Sequence, residues 1–161
     1  MNKQVLEAKQ ATVSEIVSRA KEAQSITIAE YHGLSVAKIQ ELRRALRKEG
    51  AEMCVYKNSL VERAAKELGY ELDDLLAGPN AIFFSKEMAN GPKVVAKYAR
   101  RFGDSLSIKG GVVEGRVFDK AGMIEISKLP DRNGMISMFL SCLQAPIRQF
   151  AATVKAVADA K

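Results

Sequence analysis

The sequence contains no tryptophan, a single histidine, His32, and only two cysteines, Cys54 and Cys142. One histidine beside Glu30, Tyr31 and Gly33 leaves little for acid–base chemistry, because no second titratable group recurs at a spacing that suggests a dyad. The cysteines stand far apart, one in a β-like run and the other in an apolar helical run. Neither spacing makes a metal site or a disulfide framework, so a reducing cytoplasm is expected. No apolar run approaches the ~20 residues of a membrane span. Met1 to Ala20 alternates charged and apolar residues at helical spacing, unlike a secretory leader. A soluble protein with no membrane partner is the expectation.

Glycine-rich phosphate motifs are missing too. Gly110, Gly111 and Gly115 interrupt a strand pattern instead of joining a strand to a helix, so they make no dinucleotide fingerprint. Lys57-Asn58-Ser59 lacks the upstream glycine loop of a nucleoside triphosphatase. Cys54, inside a strand pattern, reads as a small hydrophobe and not as a nucleophile. No catalytic residue, metal or cofactor is expected, and the chain reads as a non-enzymatic scaffold.

What the sequence does have is basic charge: a net +6 over 161 residues, with a pI near 9.4. That excess favours polyanionic partners and says nothing about fold. The length suits one core plus an appended element.

Val5, Ala8, Thr12, Ile16 and Val17 recur at helical spacing, and Ser25 to Tyr31 reads as a strand that turns at His32-Gly33. Ser35 caps a second helix whose Val36, Ile39, Leu42 and Leu46 form one stripe, and Gly50 stops it. A strand from Ala51 to Tyr56 leads to a helix opened by Ser59 with Glu62 three residues later, a capping-box pair. Its Val61, Ala64, Ala65 and Leu68 face inward. Gly78-Pro79 precedes a strand over Ala81 to Phe84, and Pro92 suits the first turn of a helix carrying Val94, Val95, Tyr98 and Phe102. Leu106 to Val113 is a further strand, where Gly110-Gly111 implies a bulge or a close backbone approach. The fold class is therefore α/β: a layered N-terminal domain over residues 1–129, of about four strands with flanking helices.

Leu129-Pro130-Asp131 breaks the pattern, and residues 130–161 read as a long, kinked C-terminal helix. From Gly134 to Ala160 it is apolar almost all round. Pro146 removes a helical hydrogen bond and divides it into two ladders. The first holds Met135, Ile136, Phe139, Leu140 and Leu143; the second holds Ile147, Phe150, Ala151, Val154 and Val157. Such a helix must be buried against something.

Arg43, Arg44, Arg47 and Lys48 fall on the face of the second helix turned away from its apolar stripe. Arg43 with Arg47 and Arg44 with Lys48 are like charges one turn apart, a repulsion that a polyanion relieves. Arg63 lies on the outer face of the next helix, and Lys57-Asn58 sits at its start, where free N–H groups favour phosphate. Tyr31 and Tyr56 are isolated and make no stacking platform, so folded RNA is favoured over single strands.

Tyr31-His32-Gly33-Leu34-Ser35, Glu41-Leu42-Arg43-Arg44-Ala45-Leu46-Arg47, Tyr56-Lys57-Asn58-Ser59-Leu60, Ala77-Gly78-Pro79-Asn80-Ala81 and Leu129-Pro130 occur in that order. The ordered set resembles the family of bacterial large-subunit ribosomal protein ten, the ribosomal stalk-base proteins. The resemblance implies that the N-terminal domain binds large-subunit rRNA near ribosomal protein eleven. It implies that the C-terminal helix carries dimers of the acidic stalk protein seven/twelve, two on a tail of this length, which recruit translational GTPases. Family matching places RNA contacts at the Gly33 turn and around Lys57, Asn58 and Ser59; Arg43, Arg44, Arg47, Lys48 and Arg63 follow from charge geometry. The alternative is a free-standing RNA-binding translational regulator using the same basic face. A membrane anchor fits poorly, because the tail has hardly any polar face and few positive charges.

Overall fold

The computed structural model describes residues 3–70 and 72–159. Two compact units divide the chain, residues 1–128 and residues 129–161. In the first, the order is α1 (Lys3–Glu22), β1 (Ser25–Tyr31), α2 (Val36–Lys48), β2 (Ala51–Cys54), α3 (Asn58–Leu68), β3 (Asn80–Ser85), α4 (Asn90–Phe102), β4 (Leu106–Val113), β5 (Arg116–Asp119) and α5 (Lys120–Ser127). The strands form one sheet in the order β2-β3-β1-β4-β5, every neighbouring pair antiparallel.

Side chains on a strand alternate between faces, and here both faces are covered. Ile82 and Phe84 of β3 point to α1 and α3, meeting Val13, Ile16, Val61, Ala64 and Ala65. Phe83 between them points to the opposite layer, with Leu42 and Leu46 of α2, Val94 and Val95 of α4, and Met123 of α5. This double burial explains why β3 is buried at every position and reads as an unbroken apolar run.

The α/β reading holds, with one strand more than expected. Residues Glu114 and Gly115 both take positive φ, 49° and 80°, and turn β4 directly into β5. A two-residue turn of that kind matches the twist of a hairpin. β5 shows no alternating signal because it is short and mostly exposed.

Gly110 and Gly111 serve a close approach and a bulge together. The register between β1 and β4 shifts between Ile28 and Ala29, whose partners are Gly110 and Ile108. A Cβ on Gly111 would lie 2.2 Å from the Ile26 carbonyl oxygen, and one on Gly110 would lie 2.7 Å from the Phe118 carbonyl oxygen.

Three local expectations are corrected. Val36 is 71% exposed, because it opens α2 and precedes the part of the helix that packs on the sheet. Ser59 does not cap α3: the helix begins at Asn58, with Lys57 at the cap position and no capping side chain, since a lysine ammonium has no acceptor to offer the free N–H groups. In α1 the buried residues are Val13 and Ile16, while Ala8 is exposed; the side chain of Val5 lies outside the described residues. Ser35 does cap α2, accepting from the Lys38 N–H at 3.5 Å.

The second unit is one long helix, α6 (Arg132–Asp159), continuous through Pro146. It starts two residues before Gly134, and Ala160 lies outside the described residues.

Candidate nucleic-acid interface and docking helix

The antiparallel order brings the ends of β1 and β2 and the starts of β3 and β4 to one end of the sheet. The Gly33 turn and the Lys57-Asn58-Ser59 segment therefore share that end, although 23 positions or more separate them in sequence. Neighbouring loops are laced there by backbone bonds. The Tyr31 N–H donates to Pro79 O at 3.1 Å, and the His32 N–H donates to Ser105 O at 2.9 Å. Gly33, at φ +66°, has nothing within 4 Å of a Cβ position, so its backbone is open to a ligand. Lys57 and Ser59 are exposed beside the start of α3.

Asn58 is different. Its amide Nδ2 donates to Leu76 O at 2.6 Å and to Gly78 O at 2.9 Å, tying the Leu76–Gly78 loop to the start of α3. Asn58 thus shapes this end of the domain. Lys109 works alongside it, donating to Ala77 O and pairing with Glu30 at 3.0 Å.

The remaining basic residues do not gather there. Arg43, Arg44, Arg47 and Lys48 are all exposed on α2, and among the described residues none forms an ion pair. Their neighbour Glu41 is engaged by Arg101 of α4, which removes the nearest counter-charge on the helix. Arg63 lies on α3, across the sheet from α2, so the sequence-predicted basic residues are split between two layers. Glu62, next to Arg63, is held below the usual carboxylate range by its hydrogen bond from Lys66 at 2.5 Å, with Arg63 adding to the effect.

Sequence reasoning missed a network on the outer strand β2. Arg19 of α1 places Nη1 3.2 Å from Glu52 Oε2 and 3.2 Å from Cys54 Sγ, and Nη2 2.9 Å from Glu15 Oε1. The Tyr56 hydroxyl donates to Glu15 at 3.4 Å. Burial, and then hydrogen bonding with Cys54, push the Tyr56 phenol up to about 12. Only the Glu15–Arg19 spacing of four residues hinted at this arrangement.

On α6 the two apolar ladders are exposed along their whole length; Phe139, Ile147 and Phe150 are 64%, 73% and 73% exposed. Because the helix is unbroken, its phase can be followed from end to end. Ser137, Ser141, Gln144, Arg148, Lys155 and Asp159 fall within an arc of about 60° at 100° per residue, a narrow polar stripe on both sides of Pro146. Arg148 donates to Gln144 within it at 2.7 Å. Among the described residues no helix is long and apolar enough to cross a membrane, and no cluster of His, Cys, Asp and Glu is placed to hold a metal.

Residues 4–102 match the family of Ribosomal protein L10, and residues 129–161 match the Ribosomal protein uL10 C-terminal region. The chain belongs to the ribosomal protein L10 family. Its relatives in that family include the Large ribosomal subunit protein uL10 of Lacticaseibacillus casei, 44% identical over 163 residues that cover 100% of this chain and 96% of the relative. That of Macrococcus caseolyticus is 45% identical over 161 residues, covering 99% and 93%. That of Bacillus licheniformis is 44% identical over 158 residues, covering 97% and 95%. Members of the ribosomal protein L10 family named here are structural ribosomal proteins and not enzymes, in agreement with the absence of a catalytic pattern in the sequence. The family resemblance carried by Tyr31–Ser35, Tyr56–Leu60 and Ala77–Ala81 is therefore borne out.

Proposed function

We propose that this chain is a structural component of the large ribosomal subunit and forms the base of its stalk. Residues 1–129 hold large-subunit rRNA beside ribosomal protein eleven. Residues 130–161 carry dimers of the acidic stalk protein seven/twelve, which bring translational GTPases to the ribosome. The observation that carries this reading is α6: 28 residues of helix whose large apolar side chains are all exposed, in a unit with no core of its own. Burial of one such side chain stabilises by roughly 1.5 to 3 kcal/mol, so a helix of this kind is built to be covered. The RNA half of the reading rests on the open Gly33 backbone, on Lys57 and Ser59 at the same end of the sheet, and on the unpaired cations of α2.

Pro146 has no N–H, so the Cys142 carbonyl lacks its helical donor, and the two apolar ladders meet at that missing bond. Nearly four turns, ~20 Å at 1.5 Å per residue, lie on either side, enough for one docked helix pair each. Native mass spectrometry tests this directly. The full chain is expected to carry four stalk-protein chains, and a version ending at Ala145 two. Six on the full chain, or none after truncation, overturns the two-segment reading. Residues 1–129 alone should retain RNA binding, with affinity falling by roughly 0.7 to 0.9 log units per log unit of salt for each phosphate neutralised. Sedimentation of the native protein away from large particles would favour a free-standing regulator.

A further inference from the structure

β2 is one of the two edge strands of the sheet, and among the described residues no strand pairs with its outer edge. Two clefts follow that edge. Arg43 and Arg47 line one with Ala51–Cys54; Arg47 also lines the other, of about 310 Å³, with Arg19, Gly50, Glu52 and Lys86. Arginines from both layers thus reach around the strand. Arg43, Arg47 and Lys86 form no ion pair among the described residues, whereas Glu52, in the middle of the edge, is engaged by Arg19 at 3.2 Å. Glu22 stands at the rim.

We propose that this edge is an RNA-phosphate site distinct from the Gly33 and Lys57 end, in which Arg43, Arg47 and Lys86 hold the backbone. Arg19 is its positioning residue: it keeps Glu52 neutralised, so that the carboxylate neither repels phosphate nor captures Arg47. The site rests on the reading that residues 1–129 bind large-subunit rRNA, and it puts Arg63 outside the contact. An added peptide strand fits less well. β-augmentation uses pockets for alternate side chains, and this edge is only four residues long and flanked by charge.

The test uses the full chain and large-subunit rRNA, with affinity measured across salt and folding checked by circular dichroism. The variant Arg43→Gln/Arg47→Gln/Lys86→Gln is expected to lower the salt slope by about 2 to 3, the share of three phosphates. Arg43→Lys/Arg47→Lys keeps the charge and should keep the slope. Arg19→Gln should weaken binding several-fold, and adding Glu52→Gln should restore it. An unchanged slope in the triple variant, with binding still weakened by Lys57→Gln, overturns the edge site and leaves the stalk-base reading standing. Wild-type protein that does not bind rRNA overturns both. Failure of Glu52→Gln to rescue Arg19→Gln overturns the role of Arg19. Protection of the Ala51–Cys54 amides by an acidic peptide, with no change in slope, overturns the proposal in favour of strand addition.

Discussion

Asn58 Nδ2 donates to the carbonyl oxygen of Leu76 at 2.6 Å, joining residues 18 positions apart and fastening a loop to the first turn of α3. With its second bond, to Gly78 O at 2.9 Å, one side chain satisfies two carbonyls. Asn58→Ala leaves both without that donor and is expected to destabilise the domain by about 1 to 3 kcal/mol. Asn58→Asp, which offers only acceptors, should be at least as severe. Urea unfolding measures both, and a loss below ~0.5 kcal/mol would show that water replaces the amide.

Gly111 tolerates no side chain. A Cβ there would stand 2.2 Å from Ile26 O and 3.0 Å from Met123 Cε, and the first of these is backbone. Gly111→Ala should destabilise by about 3 kcal/mol or more, at the upper end for overpacking. Gly50→Ala, at φ +68° with open space around it, should lose only ~1 to 2 kcal/mol. Equal midpoints for the two variants would contradict this close approach.

The Tyr56 phenol, with an ordinary value of 10.0, is pushed up to about 12 by burial and by its bond with Cys54. The folded state favours the protonated ring, so this contribution is fully present below pH ~10 and is lost as pH rises from ~10 to ~12. Tyr56→Phe should lose less stability than the wild type across that window. Tyrosinate absorbance of wild type minus variant gives the midpoint directly, and a value near 10 would refute the shift.

Without partners, the full chain is expected to aggregate, whereas a truncation at Leu129 stays monomeric. The difference lies in α6, whose apolar side chains have no core to enter. Light scattering compares the two at matched concentration. A monomeric full chain at high concentration would mean that α6 finds cover within its own molecule.

The polar stripe predicts which side of α6 the docked partners leave open. In a Cys142→Ser background, Ser141→Cys and Lys155→Cys should stay reactive to thiol reagents in the complex, while Leu140→Cys and Val154→Cys become protected. Uniform protection of all four would show that the partners enclose the whole helix.

Patterns that repeat within one turn or one pleat were legible in the sequence. Helices α1 to α4, the first four strands and the largely apolar character of α6 came from spacings of two to four residues, because local hydrogen bonding sets those periods; α5, only eight residues long, gave no such signal. The same spacing exposed the Arg43–Arg47 and Arg44–Lys48 ladders, and the glycine pair in β4 announced the close approach that Gly111 makes. Strand order was not legible. It depends on contacts between residues tens of positions apart, and only those contacts brought Gly33 and Lys57 to one end while placing Arg63 across the sheet from Arg43. For the same reason Asn58 looked like a phosphate donor until Leu76 and Gly78 folded back onto it, and Val36 looked buried until the helix packed from Ile39 onward. A side chain's type and local period are properties of the chain, whereas its partner is chosen by the sheet order, which no window of a few residues contains.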